Sequence, residues 1–113
     1  MPFDPGLAER LEKLVASRFA DTGVLAETRM FGGFGYTLNG NMCVGIHKDT
    51  LIVRVGAEKA AEIIGEPGVR AMDLTGKVMK AWATIEPEAL ARDAGLERYC
   101  RMAIGFVSKL PAK

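Results

Sequence analysis

The chain has 113 residues, 49% hydrophobic and 26% charged, a balance that supports one domain with one core and is neither disordered nor membrane-like. Fifteen Lys+Arg against fourteen Asp+Glu leave a formal charge of +1, so bulk electrostatics gives no reason to expect nonspecific binding to a polyanion. No apolar stretch approaches the roughly 18 residues of a membrane span, and MPFDPGLAER has neither the basic start nor the apolar core of a signal peptide. The expected location is the cytoplasm, with Cys43 and Cys100 reduced.

Asp4-Pro5 predicts a helix start, with Asp as N-cap and Pro in the first turn. Leu7, Leu11, Leu14, Val15 and Phe19 follow at helical spacing as one apolar stripe, and the helix is expected to stop near Asp21-Thr22-Gly23. From Arg29 to Val55 the sequence reads as a three-stranded meander. Asn39-Gly40 between two apolar runs is the strongest short hairpin signal, because a type I′ turn needs two successive residues at φ > 0. Lys48-Asp49 is a second, weaker two-residue turn.

These turns predict a register. Leu38 pairs with Asn41, Thr37 with Met42, Tyr36 with Cys43, Gly35 with Val44 and Phe34 with Gly45; on the other side Ile46 pairs with Leu51, Gly45 with Ile52, Val44 with Val53 and Cys43 with Arg54. Since side chains alternate along a strand, one face carries Gly33, Gly35, Thr37, Met42, Val44, Ile46, Leu51, Val53 and Val55 and is expected to be core. The other, mixed face carries Phe34, Tyr36, Leu38, Cys43, Gly45, His47, Ile52 and Arg54. Phe34 would cover the bare backbone of Gly45, and Gly32-Gly33 would mark a bulge or bend.

After Gly56, AEKAAEIIG predicts a short helix with Ala60, Ile63 and Ile64 inward and Gly65 at its C-cap. Short strands follow over 69–74 and 78–85, the second with Ala81, Ala83 and Ile85 on one face and Lys80, Trp82 and Thr84 on the other. Glu86-Pro87 starts a turn of helix through Leu90. A last helix begins near Asp93, with Leu96, Tyr99, Cys100, Ala103, Ile104 and Val107 at helical spacing. The fold class is α+β, in the order α-β(3)-α-β(2)-α, with helices on a largely antiparallel sheet and residues 1–113 as a single domain.

Arg29-Met30-Phe31-Gly32-Gly33, then Gly35, Gly40, the strand Leu51-Ile52-Val53-Arg54-Val55 and the segment Gly76-Lys77-Val78-Met79-Lys80-Ala81-Trp82 resemble the N-terminal domain of the TfoX/Sxy family, bacterial regulators linked to natural competence. The resemblance runs from the first helix to the last, and MFGG-x-G is its most specific part. It implies the same α-β(3)-α-β(2)-α order and a regulatory role. Full-length competence regulators of this family add a C-terminal helical domain, so the resemblance implies a stand-alone version of the first domain.

Several chemistries are weighed against plainer readings. A phosphate cradle at Gly32-Gly33-Phe34-Gly35 needs a following helix N-terminus, whereas these glycines run into a strand, so a structural bulge is preferred. Cys43, His47 and Cys100 are the soft metal-ligand candidates, but Cys43 and His47 stand about 13 Å apart along a strand and three ligands are fewer than a closed zinc site uses; no metal or cofactor is expected, and both thiols read as small buried apolar groups. The same distance argues against a Cys–His nucleophile. Arg29, Arg54, Lys77 and Lys80 would suit an anionic ligand, a partner carboxylate or nucleic acid, or simply solvate an open face; Arg54 would lie near Tyr36 for a cation–π contact.

The leading expectation is a non-enzymatic regulatory or protein-interaction domain, a homodimer with room for a regulatory protein partner. Its contact residues are Arg29, Phe34, Tyr36, Arg54, Lys80 and Trp82, set on the structural motif Met30, Phe31, Gly32, Gly33, Gly35, Asn39 and Gly40. The alternatives are a nucleic-acid-associated transcriptional or competence regulator, which the net charge does not favour, and a binder of a small anionic ligand or an enzyme with a pocket near Arg29, Arg54 and His47.

Overall fold

The computed structural model describes residues 4–30, 33–73, 76 and 78–112. Phe31, Gly32, the 74 end of the strand expected over 69–74 and Lys77 lie outside them. The elements are α1 (Pro5–Arg18), β1 (Leu25–Met30), β2 (Gly33–Leu38), β3 (Asn41–His47), β4 (Thr50–Arg54), α2 (Ala57–Ile63), β5 (Val69–Ala71), β6 (Trp82–Ile85), a 3₁₀ turn (Pro87–Leu90) and α3 (Asp93–Val107).

Local chemistry sets the helix ends as expected. The Asp4 carboxylate accepts from the Gly6 N–H at 2.9 Å, satisfying one of the orphan donors of the first turn. Leu7, Leu11 and Phe19 of the α1 stripe are buried, with Leu14 and Val15 partly so. All six apolar positions of α3 are buried; Leu96, Ile104 and Val107 contribute roughly 1.5–3 kcal/mol each on removal from water. Arg10 ties the two helices together, donating to the Leu90 carbonyl at 2.6 Å and pairing with Asp93 at 3.0 Å. In α2, Ala60 and Ile63 face the core. Ile64 does not: the helix has already ended there in extended backbone, leaving it 40% exposed.

The sheet has six antiparallel strands in the order β1-β2-β3-β4-β6-β5. Asn39 and Gly40 both adopt positive φ, 52° and 86°, as a type I′ turn requires. The β3–β4 register is the expected one, with Ile46 opposite Leu51, Gly45 opposite Ile52 and Val44 opposite Val53.

The β2–β3 register is not. It begins as expected at Leu38–Asn41 and Thr37–Met42, then shifts, so that Tyr36 faces Val44, Gly35 faces Gly45 and Phe34 faces Ile46. Cys43 is an extra residue in β3, a β-bulge, and both Cys43 and Val44 are buried in the same core. One added residue reverses the alternation of one strand relative to its neighbour. Phe34, Tyr36 and Leu38 therefore turn toward the helices with Val44, Ile46, Leu51 and Val53. Gly33, Gly35 and Thr37 turn away. The aromatic cover expected over Gly45 is absent, because its partner is Gly35.

The strand omitted by sequence reasoning is β1, which makes the meander four-stranded. Two residue rows then cross the sheet on the helix side by register, Arg29–Phe34–Ile46–Leu51–Ile85–Val69 and Glu27–Tyr36–Val44–Val53–Ala83–Ala71. The opposite face has a smaller core of Ile52, Met72 and Trp82, flanked by Met42, Met79 and Ala81. Met72, Met79 and Ala81, between β5 and β6, contribute to it, and the Met79 N–H donates to the Met72 carbonyl at 2.8 Å.

Candidate functional site

Phe34, Tyr36, Ile52 and Arg54, expected to share the mixed face, are divided between two faces. Phe34 and Tyr36 stack edge to face on the helix side, ring centroids 5.5 Å apart at 73°. Ile52 and Trp82 belong to the small core on the other side, 1% and 6% exposed. Arg54, opposite Trp82 on β4–β6, donates from Nη1 to the Met42 carbonyl beside the bulge at 3.3 Å, while its buried Nε has no hydrogen-bond partner among the described residues. The expected Arg54–Tyr36 contact is not formed; among the described residues the cation–π pairs are Arg98 over Tyr99 and Arg101 over Phe19. Lys80 is exposed at the turn before β6.

Arg29 stands on β1 and Arg54 on β4, three strands apart, roughly 14 Å at a strand spacing of about 4.8 Å, and on opposite faces by register. They do not converge with His47 on a pocket. Among the described residues no group of three or more His, Cys, Asp or Glu side chains is placed to hold a metal ion. Burial pushes the Cys43 thiol up to about 12, against a lowering from Arg54, and pushes Cys100 up as well, with Cys43 adding to it. Burial thus favours the protonated thiol at both, the form less suited to nucleophilic attack.

What the structure does assemble lies at the β1 edge of the sheet. Glu27, Thr28, Arg29, Gly33 and Phe34 line an open recess of about 410 Å³. Beside it the Tyr36 hydroxyl is pushed up to about 12, first by burial and then by the charges of Glu27 and Glu12. Glu27 and Arg29 are exposed, and among the described residues neither makes an ion pair.

The backbone of β1 also offers outward groups, the Arg29 carbonyl among them accepting a long bond from the Thr28 hydroxyl at 3.5 Å. Val24 bonds inward, its carbonyl accepting from the Asn39 N–H at 2.8 Å. Backbone groups of one strand alternate sides in an antiparallel ladder, so Ala26, Thr28 and Met30 also bond toward β2 and the N–H and C=O groups of Leu25, Glu27 and Arg29 point outward. Among the described residues no other strand pairs with them. The opposite edge is protected: β5 is three residues long, and its central Arg70 pairs with Glu86 and Asp73. Val24, 72% exposed, extends the free edge at its start.

Arg29, Phe34 and Tyr36 thus meet at this edge, while Arg54, Trp82 and Lys80 lie elsewhere. Glu27 and Thr28 escaped the sequence reading because β1 did. The available signal was the alternation Leu25, Glu27, Arg29 against Ala26, Thr28, Met30, masked by two charges on one side.

A four-stranded antiparallel meander extended by a short hairpin and backed by helices defines the molecule as a small α+β domain with one exposed edge strand. The family model of the TfoX N-terminal domain matches residues 17–107, and the chain belongs to that family. No curated protein and no solved structure matches it. Among the described residues no helix is long and apolar enough to cross a membrane.

Proposed function

We propose that the chain is a non-enzymatic regulatory domain that acts by contact with another protein through the edge of β1 and the recess beside it. The observation that carries this reading is the edge itself: a six-residue strand with no proline and no register shift, three residues' backbone groups directed outward and, among the described residues, no strand paired with them on that side. Native proteins usually cover or disrupt such an edge unless it is used, and strand addition is a common mode of protein recognition. Membership of a family tied to competence regulation fits the same role.

No comparable observation favours nucleic acid as the partner. Arg10, Arg18, Arg70, Arg98 and Arg101 are all engaged with carboxylates, which competes with phosphate binding. The test is complementation of a deletion in the host, read as the transcript profile. Wild type and His47→Ala are expected to restore it, and Glu27→Arg to fail although folded. Loss of function in a folded His47→Ala variant, with Glu27→Arg fully active, would move the reading toward chemistry at the β3–β4 turn.

A further inference from the structure

We infer that the partner of the β1 edge is a second copy of this chain, joined by antiparallel β1–β1 pairing around a two-fold axis at Thr28. This rests on the reading of β1 as a contact surface and adds the identity and register of its occupant.

The outward backbone groups belong to Leu25, Glu27 and Arg29, so a bonded joint must place odd-numbered residues opposite odd-numbered ones. Three two-fold registers use the middle of the strand. Centred on Glu27, the joint sets two glutamates directly opposite each other; centred on Arg29, it sets two arginines opposite each other. Like charges directly opposite are destabilising. Centred on Thr28, Glu27 of each copy faces Arg29 of the other, and each such pair exchanges both backbone hydrogen bonds. This register also overlaps 26–30 fully with its copy.

The side chains agree with the backbone. Glu27 and Arg29 point to the same face, the helix side, and have no intramolecular ion pairs among the described residues. Across the joint the row Ile46–Phe34–Arg29 of one copy continues into Glu27–Tyr36–Val44 of the other. Two recesses lined by Glu27, Thr28, Arg29, Gly33 and Phe34 merge above the axis, and two six-stranded sheets become one of twelve strands. An edge joint of five residues is small by the standard of stable interfaces, so the dimer is expected in the micromolar range.

Sedimentation equilibrium on the purified chain and its variants tests this, with circular dichroism to confirm folding. Wild type should dimerise reversibly. Glu27→Arg places arginines against arginines and Arg29→Glu places glutamates against glutamates, so each alone should weaken dimerisation by roughly tenfold or more, from two pairs each changing sign. Mixed together, these two variants should pair with each other, because every cross-strand contact is again between opposite charges. The double variant Glu27→Arg/Arg29→Glu should dimerise like wild type. A monomeric wild type at high micromolar concentration, or single variants that neither weaken alone nor recover on mixing, would overturn the inference. If wild type is monomeric but the edge variants still lose regulation in the host, the contact reading stands with a different partner; if the charge rescue works in solution and regulation is indifferent to it, that reading fails instead.

Discussion

Deleting Cys43 should leave a folded domain, whereas deleting Gly45 two positions later should cost much more. Cys43 is the surplus residue of the β3 bulge. Without it, Met42 opposite Thr37 and Val44 opposite Tyr36 become consecutive rungs of an ordinary ladder. Every side chain beyond keeps its face. The losses are one small, fully buried side chain, about 1 kcal/mol, and the Arg54 bond to the Met42 carbonyl, about 1–2 kcal/mol. A total near 2–3 kcal/mol lies within the usual stability of a domain and lowers Tm by roughly 10–15 °C. Deleting Gly45 instead moves Val44 into a buried glycine position facing Gly35 and Ile52 and leaves Cys43 where Val44 packed. Overpacking on one face and a void on the other add up to about 4 kcal/mol or more. Urea unfolding followed by far-ultraviolet circular dichroism and Trp82 fluorescence reads both, with Cys43→Ala as the control for the lost side chain. An unfolded Cys43 deletion beside a stable Cys43→Ala would refute the reasoning, since the bulge would then be holding the sheet's curvature and not merely occupying it.

The ion pair between Glu66 and Arg98 gives a pH prediction. Glu66 accepts from Arg98 at 2.7 and 3.0 Å and from the Tyr99 hydroxyl at 2.9 Å, and these bonds, Arg98 first, hold its carboxyl down to about 2. A depressed folded-state value stabilises above the unfolded value of about 4.5 and loses that contribution as pH falls toward 2; because the pair is about a third to half exposed, its worth is discounted to about 1 kcal/mol. Glu66→Gln should therefore cost about that at pH 7 and nearly nothing near pH 2 by urea titration, and an equal cost at both would contradict it. The two thiols provide the last prediction: with Cys43 and Cys100 buried and protonated, a disulfide reagent at pH 8 should titrate neither in the folded chain and both in urea, and rapid labelling of the native protein would be the contrary result.

Most of the fold was legible because its signals are local. The Asp4 cap, the Asn39-Gly40 turn, the α3 stripe from Leu96 to Val107 and the 3₁₀ turn after Glu86 each depend on a few neighbouring residues. The β3–β4 pairing followed from one two-residue turn and held. β1 was missed because Glu27 and Arg29 occupy its alternate positions, which reads as a solvated loop. That composition belongs to an edge strand beyond the reach of the helices, with Glu27 and Arg29 on the helix side and yet exposed. The face of β2 was misassigned for another reason: a bulge carries no composition of its own, and nothing in Met42-Cys43-Val44 distinguishes a regular strand from one with a spare residue. What selects the bulge is tertiary, since Cys43 and Val44 both bury in the main core while Met42 packs with Trp82 on the other face.

The same single residue decided where a contact site can be. Had the ladder been regular, Phe34 and Tyr36 would share a face with Ile52 and Arg54, and the middle of the sheet would carry an aromatic and cationic surface. With the bulge, Phe34 and Tyr36 turn under the helices, Ile52 and Trp82 close into a core of their own, and the sheet's interior is consumed by packing on both sides. A contact surface of the kind proposed is then left to what the two layers do not cover, and of the two edge strands among the described residues β1 is the longer, six residues against three. The charge pattern of that strand, one acid and one base spaced by a single residue on one face, is complementary to its own antiparallel copy in the Thr28-centred register. Under the proposed β1–β1 joint, specificity would come from register instead of from area.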